Sequence, residues 1–278
     1  LYVLDRDTIG DTGGFTGYIS RHRVTVLTLP PSYASHLEID RLDSLRVLLT
    51  AGEPPTPELV KRCAGRFDYI NAYGPTENSV CSSYWKLTPE DAGEPFDKIT
   101  IGTPLDNVKF FILDRFMSTQ PIGIPGEIHL AGPGIARGYL NRPDLTTEKF
   151  IKMDGFNLRR GTMPRALTTG HHDADEPNRE HGDVQAGTRH RAPAISSPVT
   201  LYRTGDLGRF LSSGHIEFLG RIDQQVKIRG FRVELGEIEA CLRMMPGLKD
   251  AVVIDRVMED GDHCLCAYVV SETGTGTE

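Results

Sequence analysis

Three short apolar runs, VTVLTL from Val24, LRVLLT from Leu45 and YINAY from Tyr69, alternate with helical stretches over the first third of the chain. No other feature constrains the fold as strongly. Runs that are apolar at consecutive positions suit strands buried on both faces, which is the habit of parallel sheets. Between the second and third runs lies PELVKRCA, opened by Pro57, whose fixed φ and missing N–H suit a first helical position. The expectation is an α/β layer over residues 1–100. Function in such a layer gathers in the loops after the strands, here those following Thr50 and Tyr73.

From about Ile101 the texture changes to short β segments, VKFFIL, EIHLAG, TLYRT, GRFL and HIEFLG, separated by Gly and Pro. They predict a β-rich part over residues 101–222, with Ser212–Gly214 as a hairpin turn. VKIRG follows Gly220 and leads to a helix from Glu234, whose Leu235, Ile238, Leu242 and Met245 form one apolar stripe before Pro246 and Gly247 end it. AVVID and CLCAYVV then complete a small α+β unit over residues 223–278. Residues 153–198 are rich in Gly, Pro, His, Arg, Asp and Thr and show no sustained apolar period, so a disordered insertion or long loop is expected there. Its His171, His172, His181 and His190 lie near acids, yet nothing around them looks able to hold a metal rigidly, and a solvated polar loop is the preferred reading.

The 278 residues are 38% hydrophobic and 25% charged, and no apolar run approaches bilayer length, which is the profile of a soluble globular protein with no membrane partner. Thirty-one basic against 38 acidic side chains leave a formal charge of −7, which argues against nucleic acid as a partner. Cys63, Cys81, Cys241, Cys264 and Cys266 contain no CxxC pair, which favours a reducing, cytoplasmic setting. Strand alternation puts Cys264 and Cys266 on one face as packing residues. The opening LYVL has no initiator Met and reads as a buried strand, as if the chain were cut from something longer.

Chemistry concentrates in NAYGPTEN, Asn71 to Asn78, where a turn after a buried strand offers an amide, an aromatic ring, a hydroxyl and a carboxylate in close succession. That set suits a nucleotide: Asn71 for an adenine edge, Tyr73 to stack on the base, Thr76 for a phosphate oxygen, Glu77 for a Mg²⁺ between phosphates. Alone the signal is weak, because GP turns are common and a Tyr beside one is usually packing.

Four more segments occur in order with it: AGE at Ala51, GEIHLAGPGIARGYL from Gly126, YRTGDL from Tyr202 and GRIDQQVKIRGFRVELGEIE from Gly220. With these five motifs the chain resembles the adenylation domains of nonribosomal peptide synthetases, members of the adenylate-forming superfamily, over nearly its whole length apart from the insertion. The resemblance implies the adenylate-forming enzyme fold, with part of the large N-terminal domain in residues 1–222 and the start of the small C-terminal one in 223–278. It implies a ligase that uses ATP and Mg²⁺ to activate an amino acid, then passes it to phosphopantetheine on a peptidyl carrier domain, with a condensation domain as a further partner. Carried over by position, Asn71, Ala72 and Tyr73 frame the adenine and Gly52 approaches it through its backbone. Thr76 contacts the α-phosphate, Glu77 the Mg²⁺, Asp206 the ribose hydroxyls, Arg221 ribose or phosphate, and Lys227 the nucleotide in one domain orientation. Asp223 falls at the pivot between the two domain arrangements.

By the same resemblance Thr28, Leu49, Ala51, Ala72, Val80 and Cys81 line the side-chain pocket. None is charged, which implies a large apolar or aromatic amino acid such as phenylalanine. Plainer readings stand beside these roles: Asp206 as a turn former, Arg221 as a surface ion pair, Lys227 as an exposed strand residue. The family's phosphate loop, its upstream Asp for the substrate ammonium and its C-terminal catalytic Lys have no counterpart in the sequence, so little adenylation activity is expected of this chain alone. Two further hypotheses are a catalytically dead nucleotide-binding or scaffold remnant and a relative of acyl-CoA synthetases.

Overall fold

The computed structural model describes residues 6–89, 98–153, 199–223, 225–228, 231–258 and 263–271. The expected insertion therefore lies almost wholly outside the described residues, as do the side chain of Lys227 and the last seven positions.

Two helices open the fold, α1 (Arg6–Gly10) and α2 (Thr12–Arg21). Asp11 caps the second by accepting the Gly13 N–H at 3.1 Å, the expected use of a short carboxylate before a helix. β1 (Val26–Leu29), α3 (Pro31–Ser35), β2 (Val47–Ala51), α4 (Pro57–Cys63) and β3 (Asp68–Tyr73) follow, and β1, β2 and β3 pair in parallel. Pro57 opens α4 as expected, and Thr56 accepts the Leu59 N–H at 3.2 Å. Two antiparallel strands, β4 (Ser83–Leu87) and β5 (Thr103–Pro104), extend this sheet in the order β1-β2-β3-β4-β5.

The two faces of this sheet differ. Leu48, Tyr69, Trp85 and Leu87 pack with α2 and α4 around Phe15, Leu59 and Cys63 into a closed core. On the opposite face, Val26 is 59% exposed, Thr28 is exposed as well, and Leu49 and Ala51 are only half-buried. Burial of the first strands on both faces, expected from their consecutive apolar residues, does not hold. In β1 and β2 burial alternates, because helices cover one face only.

A second sheet follows: β6 (Lys109–Leu113), β7 (Gly126–Ala131), α5 (Pro143–Lys149), β8 (Phe150–Met153), β9 (Val199–Phe210) and β10 (Ile216–Arg221). Its order is β10-β9-β7-β6, with β8 also on β9. TLYRT and GRFL, expected as separate segments, belong to the single strand β9, and the glycine between them is absorbed in place. Opposite β7 the register slips between Glu127 and His129, so Glu127 faces Leu207 while His129 faces Arg203. The slip bulges β9 around Gly205, which has φ of +75°. The Ser212–Gly214 turn joins β9 to β10 as expected, with the Gly214 N–H on the Leu211 carbonyl at 2.9 Å.

After Arg221 come a small hairpin, β11 (Gln225–Ile228) with β12 (Phe231–Glu234), the helix α6 (Leu235–Arg243), and a longer hairpin, β13 (Leu248–Val257) with β14 (His263–Ser271). Leu235 is buried, and Glu239 and Arg243 tie α6 to the backbone of Val253 and Ala251. Met245 falls beyond the helix and is exposed, so the stripe is one residue shorter than expected. Cys264 and Cys266 share a face of β14, their sulfurs 3.9 Å apart.

Candidate functional site

The bulge in β9 turns Asp206 toward the end of β3, where its carboxylate becomes the centre of a buried network. One oxygen accepts from the Tyr73 hydroxyl and the other from Arg221 Nη1 at 2.5 Å. Thr204 fixes the bulge: its hydroxyl donates to the Ile128 carbonyl at 2.7 Å and accepts the Asp206 N–H at 3.0 Å. Glu127 accepts the Gly205 N–H at 3.2 Å. A side chain at Gly205 would place its Cβ 2.8 Å from Arg221 Nη2 and 2.9 Å from Asp223 Oδ2, on a backbone that L residues rarely adopt.

Arg221 stands directly across the strands from Asp206 and forks onto Asp223, Nε to Oδ1 at 2.6 Å and Nη2 to Oδ2 at 2.7 Å. Burial alone would lower the Arg221 pKa, but the fork with Asp223 and the charge of Asp206 outweigh it and hold the guanidinium charged. In the same way burial pushes the Asp223 carboxyl up, and Arg221 overrides this and holds it below the usual carboxylate range. Burial, then the charge of Asp206, pushes the Tyr73 phenol well above its ordinary value, so it remains a hydroxyl donor. Arg221 is thus a half-buried ion-pair partner and not the freely exposed surface pair of the plainer reading.

Thr76 and Glu77 begin a 3-10 turn after Pro75. Thr76 lines a cavity of about 330 Å³ together with Thr28, Ala51, Val80, Asp206 and Arg221. Glu77 is buried and lies outside that lining: its Oε1 accepts the Tyr139 hydroxyl at 2.5 Å, and Tyr139 in turn meets the Tyr202 hydroxyl at 3.3 Å. Hard carboxylate oxygens are the donor class that Mg²⁺ takes, commonly from one or two side chains with phosphates completing the shell, so the chemistry of Glu77 fits that ion.

A larger cleft of about 1330 Å³ opens on the other side, lined by Asn71, Ala72, Glu53, Thr100, Phe218 and Asp223 among others. Asn71 donates its amide to the Thr100 carbonyl at 2.8 Å, which fixes its orientation at the cleft wall. Gly52, Tyr73, Gly74, Asp206 and Arg221 line both spaces and form the wall between them. Gly52 holds φ of +97°, the backbone form that brings a main chain close to a ligand.

Of the expected side-chain pocket, Thr28, Ala51 and Val80 line the smaller cavity and Ala72 the larger cleft. Leu49 and Cys81 line neither, although Leu49 sits beside Thr28 in register and Ala51 beside Ala72, all on the open sheet face. Lys227 pairs through its backbone with Arg232 in β11 and β12. Sequence reasoning missed Thr204, Tyr139 and Glu127, although all three stand inside the quoted motifs. Nothing local marks them, because each acts on a residue 62 to 78 positions away or buttresses a bulge.

Comparison with known proteins places the chain in a family. Residues 1–140 match the family described as AMP-binding enzyme. Tyrocidine synthase 2 of Brevibacillus parabrevis is 41% identical over 98% of this chain, and gramicidin S synthase 1 of Brevibacillus brevis 37% identical over 98%. The chain spans only 6% and 21% of those two proteins. A solved NRPS protein containing adenylation and PCP domains, bound to a vinylsulfonamide inhibitor, superposes with a TM-score of 0.72 at 26% identity, covering 95% of this chain and 40% of that one. A four-domain nonribosomal peptide synthetase bound to AMP and glycine gives 0.56 at 29% identity, covering 97% and 17%.

Proposed function

This chain belongs to the AMP-binding enzyme family, and from that premise we propose that it forms part of an amino-acid-activating ligase of the nonribosomal peptide synthetase kind. In this reading an amino acid carboxylate attacks the α-phosphate of ATP and pyrophosphate leaves. The phosphopantetheine thiol of a carrier domain then attacks the aminoacyl carbonyl, losing its proton, and AMP leaves as the thioester forms, with a condensation domain as the next partner. The 37 to 41% identity to tyrocidine and gramicidin S synthases supports the assignment.

One observation carries it: a small cavity and a large cleft share a wall built from Gly52, Tyr73, Gly74, Asp206 and Arg221. Two substrates that must react need two spaces with a common boundary, and holding the reacting groups together there is the main source of rate. The smaller space, with Thr28, Ala51 and Val80 in its lining, suits an uncharged amino acid side chain, large and apolar or aromatic, such as phenylalanine. The larger suits the nucleotide, with Asn71, Ala72 and Tyr73 at its wall for the adenine and Gly52 presenting backbone.

Asp206 accepts from Tyr73 and from Arg221 at the wall of the cleft, and an acceptor-only carboxylate there suits the hydroxyl donors of a ribose. Thr76 lies in the small cavity where the α-phosphate would meet the carboxylate, and the permanently charged Arg221 stands in the same lining to favour negative charge there. Glu77 is the residue that would hold Mg²⁺, whose bound charge neutralises phosphate oxygens. Lys227 is assigned to the nucleotide in the second domain arrangement, and Asp223 to the pivot. Its fork with Arg221 links the pivot to the ribose carboxylate.

The test is ATP–pyrophosphate exchange with a panel of amino and carboxylic acids, using the longest natural polypeptide that carries these residues. Exchange driven by large apolar or aromatic amino acids, at least about a hundredfold above Asp, Glu or Lys, is the expected outcome. Preference for a charged amino acid overturns the pocket reading, and exchange with fatty or aryl acids alone overturns the amino acid.

A further inference from the structure

The loop that carries Val80 into the small cavity is held in a conformation that its own residues do not favour. Ser79 and Val80 follow one another in the left-handed region, with φ of +55° and +72°, which is uncommon for any residue with a side chain and rare for a β-branched one. Such a residue persists only where its surroundings impose the conformation. Val80 is also 73% exposed, so its own packing does not hold it in place.

Asn78 supplies the constraint. It is 1% exposed, and its amide donates to the Ser82 hydroxyl at 2.8 Å, closing a bridge over the two left-handed residues. The ends of the loop are fixed as well. The Ser82 N–H donates to the Tyr73 carbonyl at 2.7 Å, and the Asn78 N–H donates to the Pro75 carbonyl at 3.0 Å. Gly74 packs so tightly under the loop that a Cβ there would lie 2.5 Å from the Val80 carbonyl. On its outer side Ser79 donates to the Gly134 carbonyl at 3.0 Å, and a Cβ at Gly134 would lie 2.9 Å from Asn78 Oδ1. Among the described residues no group donates to that oxygen. Asn78 is therefore wedged between the loop and the turn after β7, with one hydrogen bond that faces the cavity loop.

We propose that Asn78 is a positioning residue for amino acid selection: through Ser82 it fixes the left-handed Ser79–Val80 pair and so sets where Val80 stands at the small cavity. The inference rests on the reading of that cavity as the amino acid pocket. Asp206 and Arg221 are held by bonds outside this loop, so loosening it leaves that carboxylate and its arginine in place.

The experiment is amino-acid-dependent ATP–pyrophosphate exchange by the longest natural polypeptide carrying these residues, unaltered and as Asn78→Ala, Asn78→Thr and Ser79→Gly. Asn78→Ala should raise KM for the preferred amino acid about tenfold and shrink its lead over smaller ones, with KM for ATP changed by less than about twofold. Asn78→Thr, which keeps a hydroxyl near Ser82, should recover most of the loss. Ser79→Gly removes the conformational strain instead of the bridge. It should raise the amino acid KM about threefold with no fall in Tm, a combination that a merely structural role does not give. If Asn78→Ala fails to fold, Ser79→Gly decides alone. Parallel rises in both KM values, or no change in either, overturn the proposal. Absence of exchange with any amino acid in the unaltered protein refutes the functional reading beneath it.

Discussion

Asp206 accepts from a tyrosine 133 positions earlier and from an arginine directly across the strand, and the arginine is held by further bonds to Thr204 and Asp223. Removing the carboxylate would leave a buried phenol without its acceptor and a half-buried guanidinium with one ion-pair partner instead of two. Such losses cost on the order of 1–3 kcal/mol beyond the bond itself. At the other extreme stands Cys63, buried against the sheet, where loss of solvent pushes the thiol up to about 12 although Arg62 and Arg66 pull it partly back. At pH 8 only about one molecule in ten thousand would carry the thiolate. Brief alkylation of the native protein with iodoacetamide at pH 8, followed by peptide mass spectrometry, should label the exposed Cys241 and spare Cys63 until denaturant is added. Equal labelling of the two in the native state would show that the core around α4 is open.

At the scale of elements, the first sheet is closed on one face and open on the other. Leu48 has no exposure and lies among Leu59, Cys63 and Tyr69, whereas Val26 on the neighbouring strand is 59% exposed. Leu48→Ala should therefore cost about 2–5 kcal/mol and Val26→Ala less than about 0.5 kcal/mol, read from denaturant midpoints. Similar losses at the two positions would contradict the one-sided core. Much of this layer was legible in the sequence, because β2, β3 and α4 announce themselves locally through apolar runs and a proline at a helix start. The alternating SYWKL of β4 carried a strand signal that went unused. The continuity of β9 was hidden for a physical reason: Gly205 reads as a break between segments, while in the sheet it is the bulge that aims Asp206. Tyr73, Asp206 and Arg221 were legible as candidates through their motifs. Their direct bonding was not, since no local pattern encodes a contact between β3 and β9.

The molecule as a whole places its chemistry between its layers. The loops after β2 and β3, the bulge of β9 and the end of β10 meet at the wall shared by the two spaces, and Leu235 and Val253 of the last unit line the far side of the larger cleft. A site built this way depends on bonded partners drawn from distant parts of the sequence, so the effects of its substitutions should not add. Among the described residues no helix is long and apolar enough to cross a membrane. In the function proposed above, this wall recognises ATP. Its most direct test is calorimetric titration of the folded chain with ATP and Mg²⁺, alongside Asp206→Ala and Tyr73→Ala. Binding that weakens at least about tenfold in each variant, with the fold retained, is the predicted result. A folded chain that fails to bind ATP, or that binds it equally well without Asp206 and Tyr73, would show that this wall is not a nucleotide site.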